Sequence, residues 1–149
     1  VVLDNDIRSY RRPLDFEEAV DAAASIGSAI VQAGLPVSLR TTGEDAGVEV
    51  LRVEDITRLL DALALSDPRE LKVSPPALRQ VLLATRSTSF FLITGPNTGL
   101  IPSAIAALGL VGEGTIVRMG QEGGVSRRRR GLVFRDVMRC DDLATPGQP

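Results

Sequence analysis

A chain of 149 residues with 44% hydrophobic residues has the size of one domain and enough apolar content for one substantial core. Its formal net charge of -2 weighs against nucleic acid or an anionic membrane as an obligate partner, since both call for an excess of positive charge. The absence of histidine and the single cysteine, Cys140, remove Ser-His-Asp machinery, the commonest zinc ligand, any Cys-based zinc site and any disulfide within the chain.

Lys72 is the only lysine among 17 basic residues, an arginine bias of the kind that genomic composition produces. No stretch is long and apolar enough to cross a bilayer. The chain opens on Val1 inside a strand pattern, which reads as a segment cut from a longer protein.

Val1-Val2-Leu3-Asp4 is an apolar strand ending on an acid. It leads through Asn5-Asp6-Ile7-Arg8-Ser9 toward a helix, so Asp4 and Asp6 stand at a strand tip, where α/β domains place their sites. Arg11-Arg12-Pro13 reads as a loop. Asp15 and Glu18 then resemble the two ends of a capping box, with Asp15 at the N-cap. Phe16, Val20, Ala23, Ala24, Ile26 and Ile30 recur at helical spacing up to Gly34. A long helix over 15–33 is predicted, with small residues such as Gly27 and Ser28 allowing close packing on a sheet.

Pro36 to Thr42 and Val48 to Val53 flank the turn-rich 43–47 and predict an antiparallel hairpin. Ile56, Leu59, Leu60 and Leu63 form a helical face ending near Asp67-Pro68. Ser74-Pro75-Pro76 starts another helix, with Leu78, Val81 and Leu82 on one side. Phe90 to Thr94 is continuously apolar, the form of a strand buried on both faces. A helix is expected around 101–108, strands over 115–119 and 132–137, and a loose tail over 145–149 after a domain spanning 1–144. Strands alternating with helices predict an α/β, three-layer Rossmann-like fold with a mostly parallel sheet and one antiparallel edge strand.

Two further stretches invite chemistry. Gly95-Pro96-Asn97-Thr98-Gly99 follows a buried strand as a phosphate loop would, but no lysine follows its last glycine, so a turn into a helix is the default. Arg127 to Arg130 is the densest charge run. It reads as a solvated hairpin that discourages edge-to-edge pairing, or as a patch for an acidic partner or lipid headgroups.

The whole chain resembles the C-terminal, von Willebrand factor A-like half of the DUF58 proteins, most closely actinobacterial ones. The likeness is carried by Val1-Val2-Leu3-Asp4, Asp15-Phe16-Glu17-Glu18-Ala19-Val20, Gly34-Leu35-Pro36-Val37-Ser38-Leu39 and Phe91-Leu92-Ile93-Thr94-Gly95. It implies a protein-binding domain at the cytoplasmic face of a membrane-anchored parent, working with a MoxR-type AAA+ ATPase and inserting nothing into the bilayer itself. In intact A domains an Asp-x-Ser-x-Ser loop, a threonine from a second loop and an aspartate after the central strand hold a divalent ion. Here only Asp4 matches. Asp6 and Arg8 replace the serines, Thr94-Gly95 stands at the aspartate position, and 71–76 contains no threonine.

Three readings of the Asp4–Arg8 loop stay open. Asp4 and Asp6 hold a weak Mg²⁺, or Arg8 replaces the metal's charge by pairing with Asp4 or Asp6, or the residues are merely solvated. The expectation is a non-catalytic interaction module with a degenerate metal-ion-dependent adhesion site and no cofactor, acting through Asp4, Asp6, Arg8, Thr42 and Thr94. The alternatives are a phosphoacceptor or metal-dependent enzyme domain using Asp4, and a purely structural scaffold.

Overall fold

The computed structural model describes residues 1–43, 48–50, 55–71, 89–102, 104–106, 112–121, 127–129 and 131–143. Among them the strands are β1 (Val2–Leu3), β2 (Val37–Thr41), β3 (Val48–Val50), β4 (Ser89–Thr94), β5 (Glu113–Met119), β6 (Arg127–Arg129) and β7 (Leu132–Val137), and the longer helices are α1 (Pro13–Gln32) and α2 (Ile56–Ala64).

The strands form one sheet in the order β3-β2-β1-β4-β5-β7-β6. The five inner strands are parallel, with Leu3 registered against Thr41 on one side and Ile93 on the other. β1 and β4 are therefore neighbours at the centre, in an α/β arrangement of Rossmann-like character. Both outer strands run antiparallel, β3 against β2 and β6 against β7. The expectation of one antiparallel edge is corrected to two. β6 falls in the arginine run that sequence reads as a solvated hairpin, and it pairs antiparallel with β7; no strand is predicted within the run because consecutive arginines show no alternation of apolar and polar residues.

Alternation along the inner strands feeds two apolar layers. Leu3, Val37, Leu39, Ile93, Val117 and Met119 pack with α1 and α2 on one face. Val2, Phe90, Leu92, Ile116 and Leu132 point the other way, against Leu100 and Ala104, where residues 101–102 and 104–106 are helical.

The long helix begins at Pro13, two residues before the expected Asp15, with Arg12 at its N-cap. Proline at the first helical position loses nothing by lacking an N–H and arrives with its φ already set. Asp15 thus becomes the third helical residue, and its Oδ2 accepts the Arg12 backbone N–H at 3.1 Å. The buried stripe also shifts, to Phe16, Ala19, Ala22, Ala23, Gly27 and Val31, while Val20, Ala24, Ile26 and Ile30 are only partly covered. Small residues face the core because α2 lies close: a Cβ on Gly27 would stand 2.7 Å from Leu59 Cδ2. The hairpin turn over 44–47, the strand residues 51–53, the helix expected from Ser74 and the tail over 145–149 lie outside the described residues. Among the described residues no helix is long and apolar enough to cross a membrane.

Candidate functional site

β1 is the point where the sheet changes direction. The chain passes from it through α1 to β2 on one side, and later returns to place β4 on the other. Such a switch point leaves a crevice at the carboxyl ends of the strands. Asp4 stands there, its N–H donating to the Ile93 carbonyl at 2.9 Å while the Thr42 N–H donates to the Leu3 carbonyl at 3.1 Å.

The Asp4 carboxylate is 1% exposed and turned into the protein. Its Oδ1 accepts from the Asp6 N–H and the Thr42 hydroxyl, both at 3.1 Å. Its Oδ2 accepts from the Thr94 hydroxyl at 2.6 Å and the Thr98 hydroxyl at 3.2 Å. Two oxygens with about four lone-pair positions are thus matched to four donors. The Thr42 hydroxyl also takes the Asn5 N–H at 3.1 Å and lies 2.9 Å from Asn5 Oδ1. With one proton to give, it serves Asp4 when the Asn5 carboxamide turns its NH₂ toward Thr42.

The spacing of two residues from Asp4 to Asp6 to Arg8 has a local purpose. Asp4 accepts the N–H of Asp6, and Asp6 Oδ1 accepts the N–H of Arg8 at 3.1 Å. These are two successive Asx turns, the backbone mimicry that aspartate side chains favour. The loop is also laced to a neighbouring segment. Asn5 accepts from Arg69 N–H at 2.8 Å, and Ile7 N–H donates to the Arg69 carbonyl at 3.0 Å.

Arg8 closes the loop outward. Its Nε donates to Asp6 Oδ1 at 2.9 Å, and its Nη2 donates to Asp6 Oδ2 at 2.6 Å and to the Leu71 carbonyl at 2.8 Å. Of the two pairings open in the sequence, Arg8 makes the one with Asp6. Hydrogen bonding to Arg8 holds the Asp6 carboxyl below its ordinary range against the opposing effect of burial, and the same pairing raises the Arg8 guanidinium. The Arg8 side chain stays 57% exposed.

Asp4, Asp6, Arg8, Thr42 and Thr94 are therefore brought together, but they do not share one surface. Asp4, Thr42 and Thr94 are buried, at 1%, 6% and 0% exposure, and only Arg8 reaches well into solvent. Asp4 and Asp6 are the two carboxylates nearest to a cation site, yet Asp6 is occupied by Arg8 and Asp4 by its hydroxyl donors. Among the described residues no group of three or more His, Cys, Asp or Glu side chains is placed to hold a metal ion.

Three further participants complete the site: Thr98 and Gly95, which sequence reads only as parts of a turn into a helix, and Tyr10, which it passes over. Thr98 accepts the Leu100 N–H at 3.1 Å while donating to Asp4, so the turn after β4 is capped by threonine before a helical segment, a recognisable start signal. Tyr10 is 5% exposed. Its hydroxyl donates to the Asp4 carbonyl and its ring meets Phe16 edge-on at 5.5 Å. Burial first, and the charge of Asp4 second, push the Tyr10 hydroxyl well above the usual phenol value. Gly95 touches the same loop, since a Cβ there would lie 2.0 Å from the Ser9 carbonyl oxygen. Comparisons with protein-family models, with curated proteins and with solved structures find no match to this chain.

Proposed function

We propose that the chain is the von Willebrand factor A-like domain of a DUF58-type protein. It serves as a non-catalytic protein-interaction module with a degenerate metal-ion-dependent adhesion site. Its partner is a MoxR-type AAA+ ATPase, met at the cytoplasmic face of a membrane-anchored parent. The observation that carries this reading is the inversion at the strand tip: the Asp4 carboxylate is saturated from within, while the Arg8 guanidinium faces outward. A fixed positive group then occupies the surface where a cation would otherwise sit.

The alternative of a phosphoacceptor or metal-dependent enzyme using Asp4 needs that carboxylate open to a substrate, and 1% exposure weighs against it. The test is surface binding kinetics with the AAA+ ATPase encoded beside the parent gene. Exchanging the pair as Arg8→Glu with Asp6→Lys keeps an internal partner for each residue but reverses the outward charge. About 30-fold weaker binding is expected if this face is the hot spot. Replacing Arg127 to Arg130 by serine should chiefly alter the on-rate and its salt dependence. Parent-like binding by the exchanged pair, with none by the serine variant, would place the interface on the arginine hairpin. No binding by the parent would leave a scaffold.

A further inference from the structure

We propose, resting on the interaction-module reading, that the connection between β1 and α1 is itself the contact surface and that it takes an acidic protein segment carrying an apolar side chain. Arg8, Arg11, Arg12 and Leu14 are exposed along this connection, with Leu14 at 68%. The residues between and after them, Ser9, Tyr10, Asp15 and Phe16, are buried.

The charges are sorted by depth. Asp4 and Asp15 are 1% exposed and Asp6 is 9% exposed, so from Asp4 to Asp15 the acids face inward and the guanidinium groups outward; the exposed acids at the margin are Glu17 and Glu70, the latter near enough to act on Arg8. Arg12 is fixed by its ion pair to Asp15 at 2.6 Å while its own side chain is 59% exposed. Arg8 commits Nε and Nη2 to Asp6 and Leu71, which leaves Nη1 without a partner among the described residues. Arg11 makes no hydrogen bond or ion pair among the described residues.

The surface is also held still. Ser9 accepts the Asn97 N–H at 3.0 Å, Gly95 packs on the Ser9 carbonyl, and Tyr10 is buried beneath. A loop ordered before binding loses little entropy on docking. Planar guanidinium groups match carboxylates in two-point fashion, arginine is enriched among residues that dominate binding, and Leu14 supplies an apolar anchor beside them. The chain's net charge of -2 opposes extended polyanions and anionic bilayers, whereas a short acidic segment senses only the local field within a Debye length.

The test uses the whole chain and a short synthetic peptide of Asp, Glu and Leu. Its Asn/Gln counterpart and phosphatidylserine vesicles serve as comparison probes. Arg11→Glu and Leu14→Ser alter exposed side chains, so circular dichroism should confirm unchanged folding. Salt-sensitive binding of the acidic peptide alone, weakened about tenfold or more by each variant, is the expected result. Peptide binding that ignores both variants, binding to vesicles only, or no binding at all would overturn the proposal. ATPase capture by the parent that both variants leave intact would overturn this surface and spare the module reading. Peptide binding without ATPase capture would do the reverse.

Discussion

Replacing Asp4 by alanine should be among the most damaging single changes available in this domain. The substitution removes the acceptor for the Asp6 N–H and for the hydroxyls of Thr42, Thr94 and Thr98. Thr98 is partly exposed and can turn to water. Thr42 can turn its proton to Asn5 Oδ1, 2.9 Å away, whereas Thr94, at 0% exposure, and the buried Asp6 N–H have no such outlet among the described residues. Each stranded buried donor costs about 1–3 kcal/mol, and removal of a desolvated charge gives some of this back, so a net loss of about 3–5 kcal/mol is expected. With a urea slope of about 2 kcal/mol/M, the unfolding midpoint should fall by about 1.5–2.5 M. Asp4→Asn should be milder, at about 1–2 kcal/mol. Its NH₂ fits the Oδ2 side, where the Thr94 and Thr98 hydroxyls can reverse, whereas the Asp6 N–H cannot. Urea unfolding followed by circular dichroism gives both values. If both variants lie within about 0.5 kcal/mol of the parent, Asp4 does not tie these segments together.

Gly95→Ala should destabilise the domain by about 3 kcal/mol through collision with the Ser9 backbone, whereas Gly99→Ala, which meets nothing within 4 Å, should be neutral or stabilising by up to about 1 kcal/mol; equal midpoints would refute the close approach. Tyr10→Phe keeps the edge-on contact with Phe16 and loses one buried hydrogen bond, so calorimetric unfolding should show a loss of about 1 kcal/mol. Because pairing with Arg8 depresses the Asp6 carboxyl, its contribution to stability is complete above the unfolded-state value of about 4 and is lost as pH falls through the lower folded value. Chemical-denaturation midpoints should therefore drop less between neutral pH and about pH 3 in Arg8→Gln than in the parent, and an identical drop in both would contradict the pairing.

The sheet was legible wherever one kind of signal stood alone. Phe90 to Thr94 is apolar without interruption, and it becomes the strand beside β1. The β2–β3 pairing follows from two β-branched runs around a turn. The start of α1 was misplaced because Asp15 satisfies the cap rule in sequence, while Pro13 and Arg12 set the helix start in space. At the strand tip, sequence named the right neighbours and gave them one role. Burial separates them: three threonine hydroxyls enclose Asp4, and Thr98 comes from the stretch after β4 that sequence read as a turn. Depth is not encoded in local spacing. The two-residue rhythm from Asp4 to Arg8 fits a metal loop and a pair of Asx turns equally well.

Titration with Mg²⁺ and Mn²⁺ in an isothermal calorimeter bears directly on the inverted strand tip. A carboxylate already matched to four donors, beside an Asp6 neutralised by Arg8, should give no saturable heat up to millimolar ion, and Arg8→Ala alone should not create a site. Saturable binding tighter than about 0.1 mM, within the range that intact carboxylate sites reach, and lost in Asp4→Ala, would show that Asp4 turns outward to hold a cation.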